Sequence, residues 1–279
     1  MTNIDEMSIN AIRVLSADAI QKANSGHPGL PLGTAPTAYE LWTNHMNYNP
    51  ADPKWENRDR FVLSGGHGSM LLYSLFHLLG IGNLSLDDVK NFRQMGSKTP
   101  GHPEYGHTVG VEATTGPLGQ GMAMAVGMAM AGKMDNADYR VYTMVGDGES
   151  EEGQVWEASM FAGFRKLDNL VVIVDNNNLQ IDGAIDEVCS PYPFDKKFEA
   201  FNFHVIKING HDFDEIRSAL KEARETKGMP TAIIMNTVKG KGVSFMENQV
   251  SWHGSAPNEE QYNIAMEELE KAGEALCQK

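Results

Sequence analysis

The sequence predicts a three-layer α/β/α fold built on a doubly wound parallel sheet, in a single domain over residues 1–279. Three observations carry this expectation. Strand-like and helix-like runs alternate through the second half of the chain, the pattern of parallel strands joined by helical crossovers. Leu170–Asp175 is almost continuously apolar, as a strand covered on both faces must be. Glycine- or asparagine-rich pieces at Gly65–Gly68, Gly146–Gly148, Asn176–Asn178 and Lys239–Gly242 follow strand-like runs. Ligands of such sheets sit beyond the carboxyl ends of the strands, where these pieces fall.

The elements follow in order. Residues 5–23 place Ile9, Ile12, Leu15, Ala19 and Ile20 near helical spacing, and Asn24-Ser25-Gly26 is a stop signal. After a loop at His27-Pro28-Gly29, a second helix is expected from near Thr34 to about Asn44. Residues 47–60 are polar and hold two prolines, so they form a surface loop. Arg60–Leu63 is a short strand running into Ser64-Gly65-Gly66-His67-Gly68, and Met70–Leu79 is a helix. Residues 96–116 are rich in Gly, Pro, Thr and His without a period. A loop of that length inside a compact domain is characteristically functional or disordered. A helix is expected to resume at Pro117, since proline suits a first turn. Arg140–Val145 is a strand. Glu149–Leu167 is a helix with Trp156, Met160, Phe164 and Leu167 on one face. Phe203–Ile208 is a strand, Asp214–Glu225 a helix, Thr231–Thr237 a strand and Glu259–Lys279 a polar terminal helix.

Composition excludes several function classes. A net charge of −14 opposes binding to nucleic acid or to an anionic membrane surface. The start of the chain has neither a basic nor an apolar segment, so no signal peptide is expected. The longest small-apolar stretch, Gly121–Gly132, is too short to span a bilayer. Cys189 and Cys277 give neither zinc spacing nor a disulfide framework, which fits a reducing, cytoplasmic compartment.

The chemistry gathers in two constellations. In Gly146-Asp147-Gly148 the glycines allow a sharp turn and close approach of a ligand. A helix follows, so its free N–H groups and positive dipole end favour a diphosphate. A carboxylate there would repel phosphate unless a divalent cation lay between, which makes Asp147 a metal ligand. Asn177, at the next strand exit, offers a neutral amide oxygen, and the turn beyond it offers a backbone carbonyl such as that of Leu179. Two diphosphate oxygens and a water would complete the octahedron that Mg²⁺ demands, with Ca²⁺ or Mn²⁺ as substitutes. The Ile181-Asp182-Gly183 continuation sharpens this clamp into the kind that holds thiamine diphosphate. The second constellation is His27, His67, His102 and His253, each in a loop beside glycine. Neutral imidazoles both donate and accept hydrogen bonds near pH 7, which suits sugar hydroxyls and proton transfer. His45, His77, His107, His204 and His211 are expected to be ordinary surface or packing residues.

Seven segments, taken in order, resemble transketolase along nearly the whole chain: Asn24–Gly33, Leu63–His67, Pro100–Glu104, Gly110–Gly121, Gly146–Gly153, Asp175–Gly183 and Lys239–Gly254. Gly116-Pro117-Leu118 within Thr114–Gly121 is the most specific of the matches. The resemblance implies that Asp147, Asn177 and the Leu179 carbonyl hold Mg²⁺. It implies that His67, Gly116, Pro117, Leu118, Gly148, Asn177 and His253 contact thiamine diphosphate, with Lys239 reaching the diphosphate. It makes His27, His102 and His253 the catalytic histidines of the sugar channel, with His27 and His253 on the substrate. Glu152 matches a carboxylate linking paired active sites, and Glu157 a dimer-interface carboxylate.

Family transketolases have three domains, and this sequence matches the first. The aminopyrimidine-binding domain, with the glutamate that activates the cofactor, and the arginines that hold the sugar phosphate lie in the others. The expectation is therefore the N-terminal subunit of a split transketolase, completed by a C-terminal-half polypeptide in an α2β2 assembly. It would act in the pentose phosphate pathway or a specialised sugar route. The alternatives are the α subunit of a 2-oxo acid dehydrogenase and a non-catalytic paralogue. Gly26-His27-Pro28-Gly29 and the other histidine loops argue against the first, and intact Asp147, Asn177 and His67 against the second.

Overall fold

The computed structural model describes residues Met1–Cys277. Helix α1 (Asn3–Ala23) opens on a capping box between Thr2 and Asp5 and closes on Asn24, whose φ of 48° is left-handed. Helix α2 (Gly29–Glu40) begins a turn earlier than Thr34. Pro28 and Pro31 fall at the cap and in the first turn, where an absent N–H costs nothing, so prolines that read as loop start the helix instead. It runs on as a π-helical turn over Leu41–His45.

Strand β1 (Arg60–Leu63) leads to α3 (Ser69–Leu79) and a short α4 (Leu86–Lys90). Helix α5 (Gln120–Met134) starts later than the expected Pro117, because Gly119 at its N-cap has φ 79° and ends an extended loop there. Strand β2 (Val141–Gly146) is followed by a second departure from expectation. The Glu149–Leu167 helix is split: a 3₁₀ turn covers Glu149–Glu151, Glu152 is extended with ψ 127°, and α6 covers Gly153–Phe164. Strand β3 (Leu170–Asn176) then enters a small hairpin of β4 (Leu179–Gln180) and β5 (Gly183–Ala184). The rest is α7 (Ile185–Val188), α8 (Phe194–Ala200), β6 (His204–Asn209), α9 (Phe213–Glu225), β7 (Thr231–Asn236) and α10 (Glu259–Cys277). The expected end of the last helix at Lys279 lies outside the described residues. Its exposed face is polar, but Ala265 and Leu269 are buried against Ala17 of α1 and Leu32 of α2.

The five main strands run parallel in the order β1-β2-β3-β7-β6. Side chains alternate between two cores. Val171 and Ile173 of β3 face α1, α2, α3 and α9, whereas Leu170, Val172 and Val174 face α5, α6 and α8. Each such fully buried Val, Leu or Ile contributes about 1.5–3 kcal/mol relative to exposure. This is the expected doubly wound, three-layer architecture.

Register sets up the site. Gly146 of β2 pairs with Asp175, and Asn176 of β3 pairs with Asn236 of β7, so three strands end level. Beyond β3 the chain turns to α8 on one face of the sheet, and beyond β7 it packs against α1 and α2 on the other. The divergence opens a crevice at the strand ends.

Of the apolar face expected on the Glu149–Leu167 helix, Trp156 packs against the core and Leu167, past the end of α6, is buried, but Met160 and Phe164 point outward. Val155, Ala158, Ser159, Ala162 and Gly163 pack inward, while Met160 is 57%, Phe161 44% and Phe164 75% exposed. Small residues let α6 lie close to the sheet and leave the large ones pointing out. Among the described residues, no helix is long and apolar enough to cross a membrane.

Candidate cofactor and substrate site

A cavity of about 360 Å³ opens at these strand ends, lined by Asp147, Gly148, Asn177, Leu179, Lys239, His253 and their neighbours. Asp147 is 1% exposed. Its carboxylate accepts from the N–H of Gly148 (2.9 Å) and of Asn178 (2.6 Å). Asn177 donates to Asp175 (3.1 Å), and its amide oxygen accepts from the Leu179 N–H (3.1 Å). The Leu179 carbonyl accepts from the Lys239 ammonium at 3.0 Å. Thr237, at the end of β7, donates to Asp175 from the other side.

Two carboxylates, Asp147 and Asp175, are thus buried beside one ammonium. Burial, and then the neighbouring Asp175, push the Asp147 carboxyl up to about 7. Burial likewise raises Asp175 and lowers Lys239. A carboxylate, an amide oxygen and a peptide oxygen converging on a buried, negatively charged spot fit a hard divalent cation. Among the described residues no cluster of three His, Cys, Asp or Glu offers a competing metal site.

One prediction follows for the metal-free chain. Between its unfolded value near 4 and the folded value of about 7, Asp147 binds more protons folded than unfolded, so stability falls as pH rises across that window. In chelator, the difference between pH 5 and pH 8 should be about 2–3 kcal/mol smaller in Asp147→Asn than in the parent chain. Urea unfolding at the two pH values measures it; parallel behaviour of the two proteins would contradict the burial argument.

The histidines converge beside the clamp. Ring centroids lie 5.2 Å apart for His27–His67, 5.6 Å for His27–His253, 5.0 Å for His67–His253 and 6.4 Å for His27–His102. Burial is the main cause that holds all four below the ordinary imidazole value, His27 to about 4 and His253 to about 3, with neighbouring cations adding to it. The gallery is therefore neutral at pH 7. Gly116, with φ 137°, lies against His102: a Cβ there would come within 3.0 Å of the ring.

The structure thus gathers Asp147, Asn177, Leu179, Gly148, His67, Leu118 and His253 around one cavity. His27 and His102 join it through the ring contacts, and Gly116 through His102, while Pro117 is exposed on the loop before α5. Glu152 lines the cavity, and Glu157 is exposed on α6. His45, His77, His107, His204 and His211 all bond elsewhere.

Three site residues escaped the sequence reading. Asp175 belongs to the apolar strand run and shows its role only through Thr237 and Asn177. Arg93, between α4 and the 96–116 loop, reaches the gallery at His27. Glu149 is 3% exposed and accepts from Ser64 and from the N–H of Gly119 (2.8 Å) and Gly146 (3.1 Å). One carboxylate thereby ties together the loops that carry His67, Leu118 and Asp147. An acidic residue in a first helical turn is favoured by the dipole anyway, which hid that role.

Fold and site define a class: an α/β domain whose ligand cleft lies beyond the carboxyl ends of β1, β2, β3 and β7. Within that class the chain belongs to the family of the transketolase thiamine diphosphate binding domain, whose model matches residues 4–272. It is 51% identical to a transketolase of Geobacillus stearothermophilus over 264 residues, covering 91% of this chain and 39% of that protein. It is 47% identical to one of Bacillus subtilis over 278 residues, covering 96% of this chain and 41% of the relative. The chain therefore spans about 40% of the length of these curated relatives. The crystal structure of transketolase from Campylobacter jejuni superposes with a TM-score of 0.92 at 43% identity, covering 99% of this chain and 46% of that one. A Pichia stipitis transketolase solved in complex with sedoheptulose 7-phosphate gives 0.87 at 35% identity, again covering 99% of this chain and 45% of that one.

Proposed function

We propose that this chain is the diphosphate-binding subunit of a cytoplasmic two-subunit transketolase, folded as a single cofactor domain over residues 1–279. Its reaction moves a two-carbon ketol unit from a ketose phosphate to an aldose phosphate. The observation that carries the reading is the convergence of His27, His67, His102 and His253 on the cavity that holds Asp147, Asn177 and the Leu179 carbonyl. The sugar complex of the Pichia stipitis relative supports the substrate class.

Asp147, Asn177 and the Leu179 carbonyl would hold Mg²⁺, and Gly148 and the loop Gly116-Pro117-Leu118 would contact the cofactor. Bound thiamine diphosphate supplies the nucleophilic carbon needed to cleave the ketose C2–C3 bond. His67 and His253 border the cofactor, and His27, His102 and His253 orient the sugar's oxygen atoms and hold protons at their ring nitrogens. Donors fixed in a cavity stabilise charge developing on an oxygen more than water does.

A partner carrying the pyrimidine-binding domain covers the cavity mouth, in an α2β2 assembly. Exposed Leu118 (41%), Ile181 (62%) and Val188 (43%) at the rim support this. The test is a coupled assay of the chain with its co-purifying partner, offering ketose phosphates and 2-oxo acids as donors in separate arms. The expected result is turnover of ketose phosphates by the mixture alone. Turnover of 2-oxo acids, or full ketose turnover by the isolated chain, would overturn the reading.

A further inference from the structure

Arg93 is turned toward the gallery by an unusual backbone. Its φ is 59°, in the left-handed region, and its N–H donates to the Thr99 carbonyl at 2.9 Å. The side chain rises over the Phe92 ring, with the guanidinium carbon 5.3 Å from the centroid. Residue 101 must be small, since a Cβ on Gly101 would lie 3.0 Å from Arg93 Nε. Nη1 donates to Ser25 Oγ at 2.7 Å, and Nη2 lies 3.4 Å from His27 Nδ1. Among the described residues no carboxylate pairs with this guanidinium, and its Nε is buried without a partner. A strained turn that places an unpaired cation is a feature typical of functional sites.

A guanidinium has donors and no acceptor. Its contact with His27 is therefore Nη2–H to the Nδ1 lone pair, which leaves the ring hydrogen on Nε2. A proton arriving at Nδ1 would face another N–H. The same arrangement recurs at His253, where the Lys239 Nζ lies 2.8 Å from Nδ1. We propose that Arg93 is a positioning residue that fixes His27 as its Nε2–H tautomer, so that His27 meets an oxygen atom of the sugar as a hydrogen-bond donor and not as a base. The inference rests on the transketolase reading only for the identity of that oxygen-bearing ligand; the tautomer itself belongs to the chain without ligand.

The groups that face His27 are Arg93, His102, His67, His253 and Lys239, and His27 is held near 4 chiefly by burial, then by Arg93, His102 and Lys239. The test is a two-bond ¹H–¹⁵N spectrum of the full chain labelled with ring-¹⁵N histidine, with His27 assigned by His27→Gln. The parent chain should show a bare Nδ1, a protonated Nε2 and no His27 titration above about pH 5. Arg93→Met should bring in the Nδ1–H tautomer and raise the His27 midpoint by about one pH unit, and Arg93→Lys should restore the parent pattern. Should Arg93→Met fail to fold, Ser25→Ala, which frees the guanidinium, should give a smaller shift in the same direction. An Nδ1–H tautomer in the parent chain, or His27 spectra unchanged in the folded variants, would overturn the proposal. No cofactor or sugar is present in the measurement, so a failed turnover assay and a failed tautomer assignment are separable.

Discussion

Asp147→Ala is expected to weaken divalent-metal-dependent binding of thiamine diphosphate by about 100-fold or more, since loss of even an outer-shell partner of a metal commonly costs 10–100-fold. Asp147 is the anionic oxygen donor of the proposed set, Asn177 and the Leu179 carbonyl being neutral. The diphosphate is itself anionic and would be repelled by Asp147 and Asp175, so in the proposed site a cation must lie between them. The substitution also removes the acceptor for the Gly148 and Asn178 N–H groups, loosening both turns. Because it deletes a buried, destabilised charge, the metal-free chain is not expected to unfold. Calorimetric titration of thiamine diphosphate with and without Mg²⁺ measures the effect in both proteins. Undiminished Mg²⁺-dependent binding by the variant would remove Asp147 from the metal site.

Phe164→Asp is expected to weaken the proposed α2β2 assembly without loss of fold. Glu157, Phe161 and Phe164 share one helical face at spacings of four and three, and Met160 extends it. Three large apolar side chains on this surface are 44–75% exposed, an arrangement that marks an interaction site when contiguous. Burying one such phenylalanine against another subunit contributes about 2–3 kcal/mol. A carboxylate in its place loses that contribution and adds a desolvation cost, so association should weaken by about 100-fold or more. The exposed position predicts a change in chain stability within about 0.5 kcal/mol. Sedimentation velocity of the chain with the proposed C-terminal-half partner, beside urea unfolding of the chain alone, separates the two effects. Full-size assemblies formed by the variant would show that this face is not an interface.

The fold was legible where backbone chemistry is local. The almost continuously apolar run at Leu170–Asp175 and the glycine turns after β1 and β2 specify a doubly covered parallel sheet without help from distant residues. Boundaries were legible only in part, because the same residue serves opposite ends. Pro28 and Pro31 read as loop but start α2, and Pro117 reads as a helix start but belongs to a loop closed by left-handed Gly119. The outward face of α6 was hidden because Met160 and Phe164 have the spacing of a core stripe. Their exposure follows from Ala158, Ala162 and Gly163, which set how closely the helix lies on the sheet. In the site, Asp147, Asn177 and the four histidines are marked by flanking glycine or by strand exits. Arg93, Glu149 and Asp175 act through partners distant in sequence, Ser25, Ser64 and Thr237 among them, and no local pattern announces them.

The most direct test of the metal-diphosphate assignment is anomalous diffraction from crystals grown with thiamine diphosphate and Mn²⁺. One strong manganese peak is expected within coordination distance of an Asp147 carboxylate oxygen, the Asn177 amide oxygen and the Leu179 carbonyl, with the diphosphate beside Gly148. A manganese peak that these three residues do not coordinate, or a diphosphate bound away from Gly148, would contradict it.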